Sequence, residues 1–322
     1  MKIAFTPVIY EHAARFVGKT PWEVSRDPEL LFQGHRRAYL EYHPQVIAVA
    51  IDIYNLEAEA YGAKVAASTP EAIPAIRQPL LQSLDEGIRL KPFDPDRDGR
   101  IAMILGVAQR LKREFPEADV RVPVGGPFSI AFNLRGINDL CLDAALQPER
   151  LAALLMRLAE NQAALCRAVV RAGLDVAFFE SAAAPPILSP RQFHEIEMPA
   201  LRRALDVAAE SVGHAVPCIM GGNTFPVLDD MLATGTNYLV CNVETHQAAF
   251  IERVARTHPH VVVRVNLDPG IVAGRDKQRI RQDVDRVLSI VGPHGHCVMG
   301  TGAVPLETPP ENIHWIEQYV AH

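Results

Sequence analysis

From about residue 46 onward, short runs of β-branched and apolar residues alternate with long segments whose apolar positions recur at helical spacing. No other feature constrains the fold as much. The strand runs fall at 46–52, 120–125, 174–180, 216–221, 237–243, 261–266 and 297–300. Most are nearly continuous in apolar residues, the pattern of parallel strands covered on both faces. Between them, Leu151, Leu154, Leu155, Leu158, Leu165 and Val169 repeat at helical spacing, with Pro148 at the start and Gly173 just past the end. A second helix opens on Ser189 as N-cap and Pro190 at its first position, and Gly213 closes it. Pro199 lies inside that pattern and should kink or divide it. A third helix covers about 274–290.

Repeated strand–helix units imply a parallel α/β fold, and at 322 residues a closed barrel in a single domain, 1–322, is expected. An open sheet would want a glycine-rich phosphate turn after its first strand; Asp52 is instead followed by Ile53, Tyr54, Asn55, Leu56 and Glu57. Seven strands are identified, the eighth is sought within 65–84, and the barrel proper is taken to begin at about 46. Residues 1–45 and 64–100 read as helical or irregular additions around it.

A formal charge of -6 offers no basic stripe for nucleic acid. Five cysteines without a C-x-x-C pair argue against a disulfide framework or a zinc ribbon. With no signal-peptide pattern and no apolar run of membrane-spanning length, a soluble cytoplasmic protein is expected.

Barrel active sites form where the parallel strands end. Those ends carry Asp52, Gly125-Gly126-Pro127, Glu180-Ser181, Gly221-Gly222-Asn223-Thr224, Glu244-Thr245, Asn266-Leu267-Asp268-Pro269 and Gly300-Thr301-Gly302. Singly, each acid reads as a helix cap or the partner of an arginine. Four acids at one mouth point instead to a cationic partner, a metal or proton chemistry.

The same segments resemble the uroporphyrinogen decarboxylase superfamily. Asn266-Leu267-Asp268-Pro269 resembles its N-L-D-P element, and Gly125-Gly126-Pro127-Phe128-Ser129 its G-G-P-x-[ST] strand end. Leu188-Ser189-Pro190-Arg191-Gln192-Phe193 with Pro199 resembles its L-S-P-x-x-F…P helix start. Gly300-Thr301-Gly302, Pro305 and Thr308-Pro309-Pro310-Glu311-Asn312-Ile313 resemble its closing signature. The resemblance implies a distorted (β/α)₈ TIM barrel. It also implies one of two chemistries: decarboxylation of the four acetate side chains of uroporphyrinogen by enzymes that are commonly homodimers, or methyl transfer between a corrinoid on a partner protein and a thiol, often with zinc.

Individual positions discriminate between the branches. The decarboxylases' R-Q-A-G-R segment is missing, and Arg15, Arg36 and Arg37 stand in other contexts. Asp52-Ile53 resembles the decarboxylase D-I, whose carboxylate accepts from pyrrole N–H groups. The stretch from Asp52 through Glu57-Ala58-Glu59-Ala60 to Gly62 resembles the methyltransferase branch more closely. Thr301 replaces the G-H-G histidine or G-C-G cysteine, and Ile219 and Gly221 replace the zinc ligands of H-x-C. Zinc and any tightly bound cofactor are therefore not expected, and Cys218, Cys241 and Cys297 are read as core residues.

The reading that follows is a methyltransferase-like enzyme acting on a corrinoid-bound methyl group or a related substrate, with a corrinoid protein as partner. Asp52, Glu57, Glu180 and Glu244 are its catalytic candidates. Tyr54, Asn55, Gly126, Ser181, Asn223, Thr224, Asn266, Asp268 and Thr301 are the expected substrate contacts. The alternatives are uroporphyrinogen decarboxylation, with Arg135 as one source of carboxyl binding, and a non-catalytic protein that binds a tetrapyrrole or corrinoid.

Overall fold

The structure, a computed structural model, describes residues 3–321. Eight strands build the barrel: β1 (Phe5–Val8), β2 (Val46–Ala48), β3 (Asp119–Gly125), β4 (Asp175–Phe179), β5 (Cys218–Ile219), β6 (Tyr238–Cys241), β7 (Val262–Asn266) and β8 (Cys297–Ala303). They form two four-stranded arcs, β2-β3-β4-β5 and β6-β7-β8-β1, and every pairing within an arc is parallel.

The backbone ladder is interrupted at two seams, where side chains take over. Between β5 and β6, Asn237 Nδ2 donates to the Ala215 carbonyl at 2.9 Å, Thr236 Oγ1 to Val216 at 2.8 Å and Asn242 Nδ2 to Met220 at 3.0 Å. Between β1 and β2, the Gln45 N–H donates to Thr6 Oγ1 at 3.2 Å. These bonds satisfy backbone groups that the missing ladder would leave orphaned. The two gaps are the barrel's departure from a continuous ladder.

Two expectations are corrected. The eighth strand is not within 65–84: that segment makes a small antiparallel hairpin, Val65–Ala66 against Ala75–Ile76, outside both arcs. The missing strand is β1, so the barrel begins at Phe5 rather than near residue 46. Pro7 explains the irregular pairing of β1. It has no N–H to give, and the β1–β8 register shifts between Thr6 and Val8.

Elsewhere alternation sorts the strands. Along β7, Val263 and Val265 are buried toward the helices while Val262 and Arg264 line the bore. The helices begin and end where the sequence punctuates them. Ser189 forms a full capping box with Gln192, and Gly213 closes its helix in the left-handed conformation. Pro199 cannot donate to the preceding turn, and a π-helical turn, Phe193–Glu197, stands immediately before Met198–Val212. The helical pattern after Pro148 is two helices, Pro148–Asn161 and Ala163–Arg171, divided at Gln162.

Candidate active site

The strand ends bring three buried acidic groups together, each held differently. Asp52 follows β2 and is locked by Arg100, whose Nη1 and Nη2 donate to the two carboxylate oxygens at 2.9 and 2.7 Å. Asn55 Nδ2 donates to Asp52 Oδ2 at 3.0 Å and also reaches the Pro74 carbonyl. Glu59 continues the network, pairing with Arg100 and Arg26. Both oxygens of Asp52 are thus engaged within the protein, as is its neighbour Asn55.

Glu57 is fully buried beside the end of β3. Its Oε1 accepts from the Gly125 N–H and from Gln162 Nε2, whereas Oε2 has no partner among the described residues. Burial outweighs the Gly125 hydrogen bond and pushes its pKa up to about 7.

Glu180 ends β4. Its Oε2 accepts from the Phe128 and Ser129 N–H groups at 3.0 and 3.3 Å, and its Oε1 from the Ser129 hydroxyl at 2.6 Å. It caps the helix Pro127–Arg135 from another part of the chain. Gly126 is required there, because a Cβ would stand 2.1 Å from Glu180 Oε2. Beside Glu180 lies Glu197, fully buried and carried by the π-helical turn. Desolvation and the facing carboxylate raise Glu197 well above the usual range, and desolvation raises Glu180. Burial of two neighbouring carboxyls disfavours ionising both at once, and neither Glu197 oxygen has a hydrogen-bond partner among the described residues.

Toward the mouth, the Tyr54 hydroxyl meets Ser181 Oγ, and the Ser181 N–H donates to Ser129 Oγ at 3.1 Å. Asn266 Nδ2 donates to Asn242 Oδ1 at 2.9 Å. The ring of Phe179 packs edge-on against both Tyr54 and Tyr10. Asn223, after β5, is exposed and accepts from the Phe225 N–H; Thr224 is buried, and its hydroxyl has no partner among the described residues.

Three candidates stand apart. Glu244 is exposed on the loop after β6, unlike the buried acids. Asp268 caps the turn Pro269–Val272, accepting from Gly270 and Ile271 N–H. Thr301 is fully buried; it accepts from the Val8 N–H at 3.1 Å and donates to the Gly302 carbonyl at 2.7 Å, so its hydroxyl is spent on joining β8 to β1.

The sequence reading did not single out Glu197, Gln162, Arg100 or Arg264. Arg264 had a legible signal, since a charged residue at the alternate position of V-V-V-R-V-N shares the inward face with Asn266. Cys218, Cys241 and Cys297 are buried, and among the described residues no three His, Cys, Asp or Glu side chains converge as a metal site. Among the described residues, no helix is long and apolar enough to cross a membrane.

A parallel eight-stranded barrel with buried carboxyls gathered at its strand ends defines a (β/α)₈-barrel protein of enzyme type. More particularly, the chain belongs to the uroporphyrinogen decarboxylase (URO-D) family, whose model matches residues 2–322. Members of that family are enzymes, either decarboxylases or methyltransferases. Two relatives from Prochlorococcus marinus strains, each named uroporphyrinogen decarboxylase, are 24% identical over 299 and 298 residues, spanning 90% of this chain and 82% of theirs. A methyltransferase from Methanosarcina mazei superposes with a TM-score of 0.84 at 18% identity, over 99% of this chain and 93% of that one; the likeness is one of fold.

Proposed function

We propose that this chain is a methyl-transferring member of the family, acting on a corrinoid-bound methyl group or a related substrate. One observation carries the reading: the carboxylate of Asp52 is closed off by a bidentate pair with Arg100 and by Asn55. An aspartate that grips pyrrole N–H groups needs free acceptor oxygens, and these two are occupied. Arg26, Arg100, Arg121 and Arg135 are each paired with carboxylates, and Arg264, beside Asn266, is a single guanidinium left without one, against four acetates on a uroporphyrinogen.

In this reading the Glu180–Glu197 pair stores a proton beside the mouth. A corrinoid donor would supply the methyl group, and the ionised member of the pair would take the proton that a thiol acceptor must lose. Ser129 touches both Glu180 and the Ser181 backbone, so it stands between the pair and the mouth. Tyr54, Ser181, Asn242 and Asn266 supply the polar contacts to substrate.

The test is incubation of the protein with methylcobalamin and thiol or folate acceptors, followed spectroscopically by loss of the cobalt–carbon bond. Methyl transfer that falls sharply in Glu180→Gln is expected. No corrinoid binding and no transfer would overturn the reading, and coproporphyrinogen formed from uroporphyrinogen would replace it with the decarboxylase. Tight corrinoid binding without turnover would make the chain a binding protein.

A further inference from the structure

TIM-barrel bores are ordinarily filled by layers of inward side chains. Here small residues on the inward face, among them Thr6, Ala48 and Ala177, leave a cavity of about 420 Å³. Its wall includes Gln45, Val46 and Asn237, which stand at the starts of β2 and β6 and are exposed, so it opens on the N-terminal face of the barrel. Its far wall is formed by Tyr10 and Phe179, while Tyr54 packs against Phe179 and takes no part in the lining. The ring of Phe179 therefore separates this chamber from the mouth where the acids gather.

The chamber is mostly apolar but holds an unbalanced charge. Asp119 and Arg121 share its wall and neutralise each other, with Arg121 also reaching Asp175. Arg264 has no such partner. Its Nε donates to the neutral Asn266 Oδ1 at 3.2 Å, and no carboxylate lies within ion-pair reach among the described residues. Gly300 makes room for it, since a Cβ there would meet the Arg264 side chain at 2.6 Å. Tyr10 and Tyr238 line the same chamber, and burial keeps both hydroxyls protonated while the Arg264 charge pulls the other way. Arg264 thus has neutral partners, the Asn266 amide and the Tyr238 hydroxyl, but no anion balances its charge among the described residues.

We propose that this bore is a second ligand site, entered from the N-terminal face, for a small monocarboxylate with an apolar tail. The carboxylate meets Arg264 and the tyrosine hydroxyls, and the tail lies along Ala48, Ala177 and the neighbouring apolar walls. The single surplus charge selects a monoanion over a dianion, and the apolar lining selects a hydrocarbon tail over a sugar. Asn266 lies between Arg264 and the mouth, and the binding test does not depend on the reaction proposed there.

The experiment is calorimetric titration of the full chain with octanoate, with 1-octanol as neutral control and acetate as headgroup alone. Octanoate should bind at one site, at least about tenfold more tightly than octanol, the difference expected of one charge-assisted contact. Acetate should bind weakly. Arg264→Gln should bring octanoate down to the level of octanol, and Ala48→Leu, which grows into the void, should weaken both. If Ala48→Leu fails to fold, Arg264→Gln decides alone. Octanoate binding no better than octanol, a preference that survives Arg264→Gln, or no binding by either would overturn the proposal.

Discussion

A buried carboxylate must be balanced either by a cation or by a proton, and the two acids after β2 differ in this. Asp52 has a side chain sealed from solvent and rests on Arg100. Arg100→Met should therefore destabilise the protein by about 3–5 kcal/mol, the cost of stranding a buried charge. Converting both to apolar residues, Asp52→Leu with Arg100→Met, should recover most of that loss in urea denaturation. Glu57 takes the proton. Its pKa is about 7 in the fold against an ordinary 4.5, so the stability it contributes is complete below 4.5 and is lost as pH rises through 7. Glu57→Gln should remove this dependence. The variant's stability relative to the parent should climb by about 3 kcal/mol over that window, measured by denaturant titration at several pH values. A flat difference would mean that Glu57 is ionised in the fold. Asp52 and Glu57 were readable as candidates because they follow a strand. Glu197 was not, since one more acid in a helical pattern looks like surface until the π-helical turn aims it inward.

At the scale of elements, seven strands were legible because each is a β-branched run preceded or followed by helix punctuation. β1 was hidden: F-T-P-V is four residues long and contains a proline, which ordinarily argues against a paired strand. What makes it a strand is tertiary. Pro7 is tolerated at the register shift, and Val8 finds its acceptor in the hydroxyl of Thr301 instead of a backbone carbonyl. Thr301→Val should leave that buried N–H unsatisfied at a cost of about 1–3 kcal/mol, while Thr301→Ser should cost much less. Hydrogen exchange of a peptide covering β1 should accelerate in the valine variant only. Equal behaviour of the two variants would return Thr301 to the list of substrate contacts.

For the molecule as a whole, the two seams divide the barrel into halves joined by side chains. Local opening should start where the ladder is absent. Amides of β5, which has only two residues in the ladder, should exchange before those of β3, β4, β7 and β8, and Asn242→Leu should widen the gap by removing a bond across the seam. Uniform protection around the barrel would contradict this. The overall fold was readable from the period of the pattern, because layers of parallel strand and helix leave few other packings. The seams were not readable, because they depend on which side chains happen to face one another across a gap.

The position of β1 has a consequence for how the chain is made. Val8 waits for Thr301, 293 residues further along, and no nearer segment of the barrel offers that contact. At about 5–20 residues per second, synthesis leaves the open side of β1 without its partner for roughly 15 to 60 seconds. Throughout that time a strand edge is available to other chains. The proline in the middle of β1, which made the strand hard to recognise, also makes that edge a poor template, so the residue that disrupts the finished ladder protects the unfinished one.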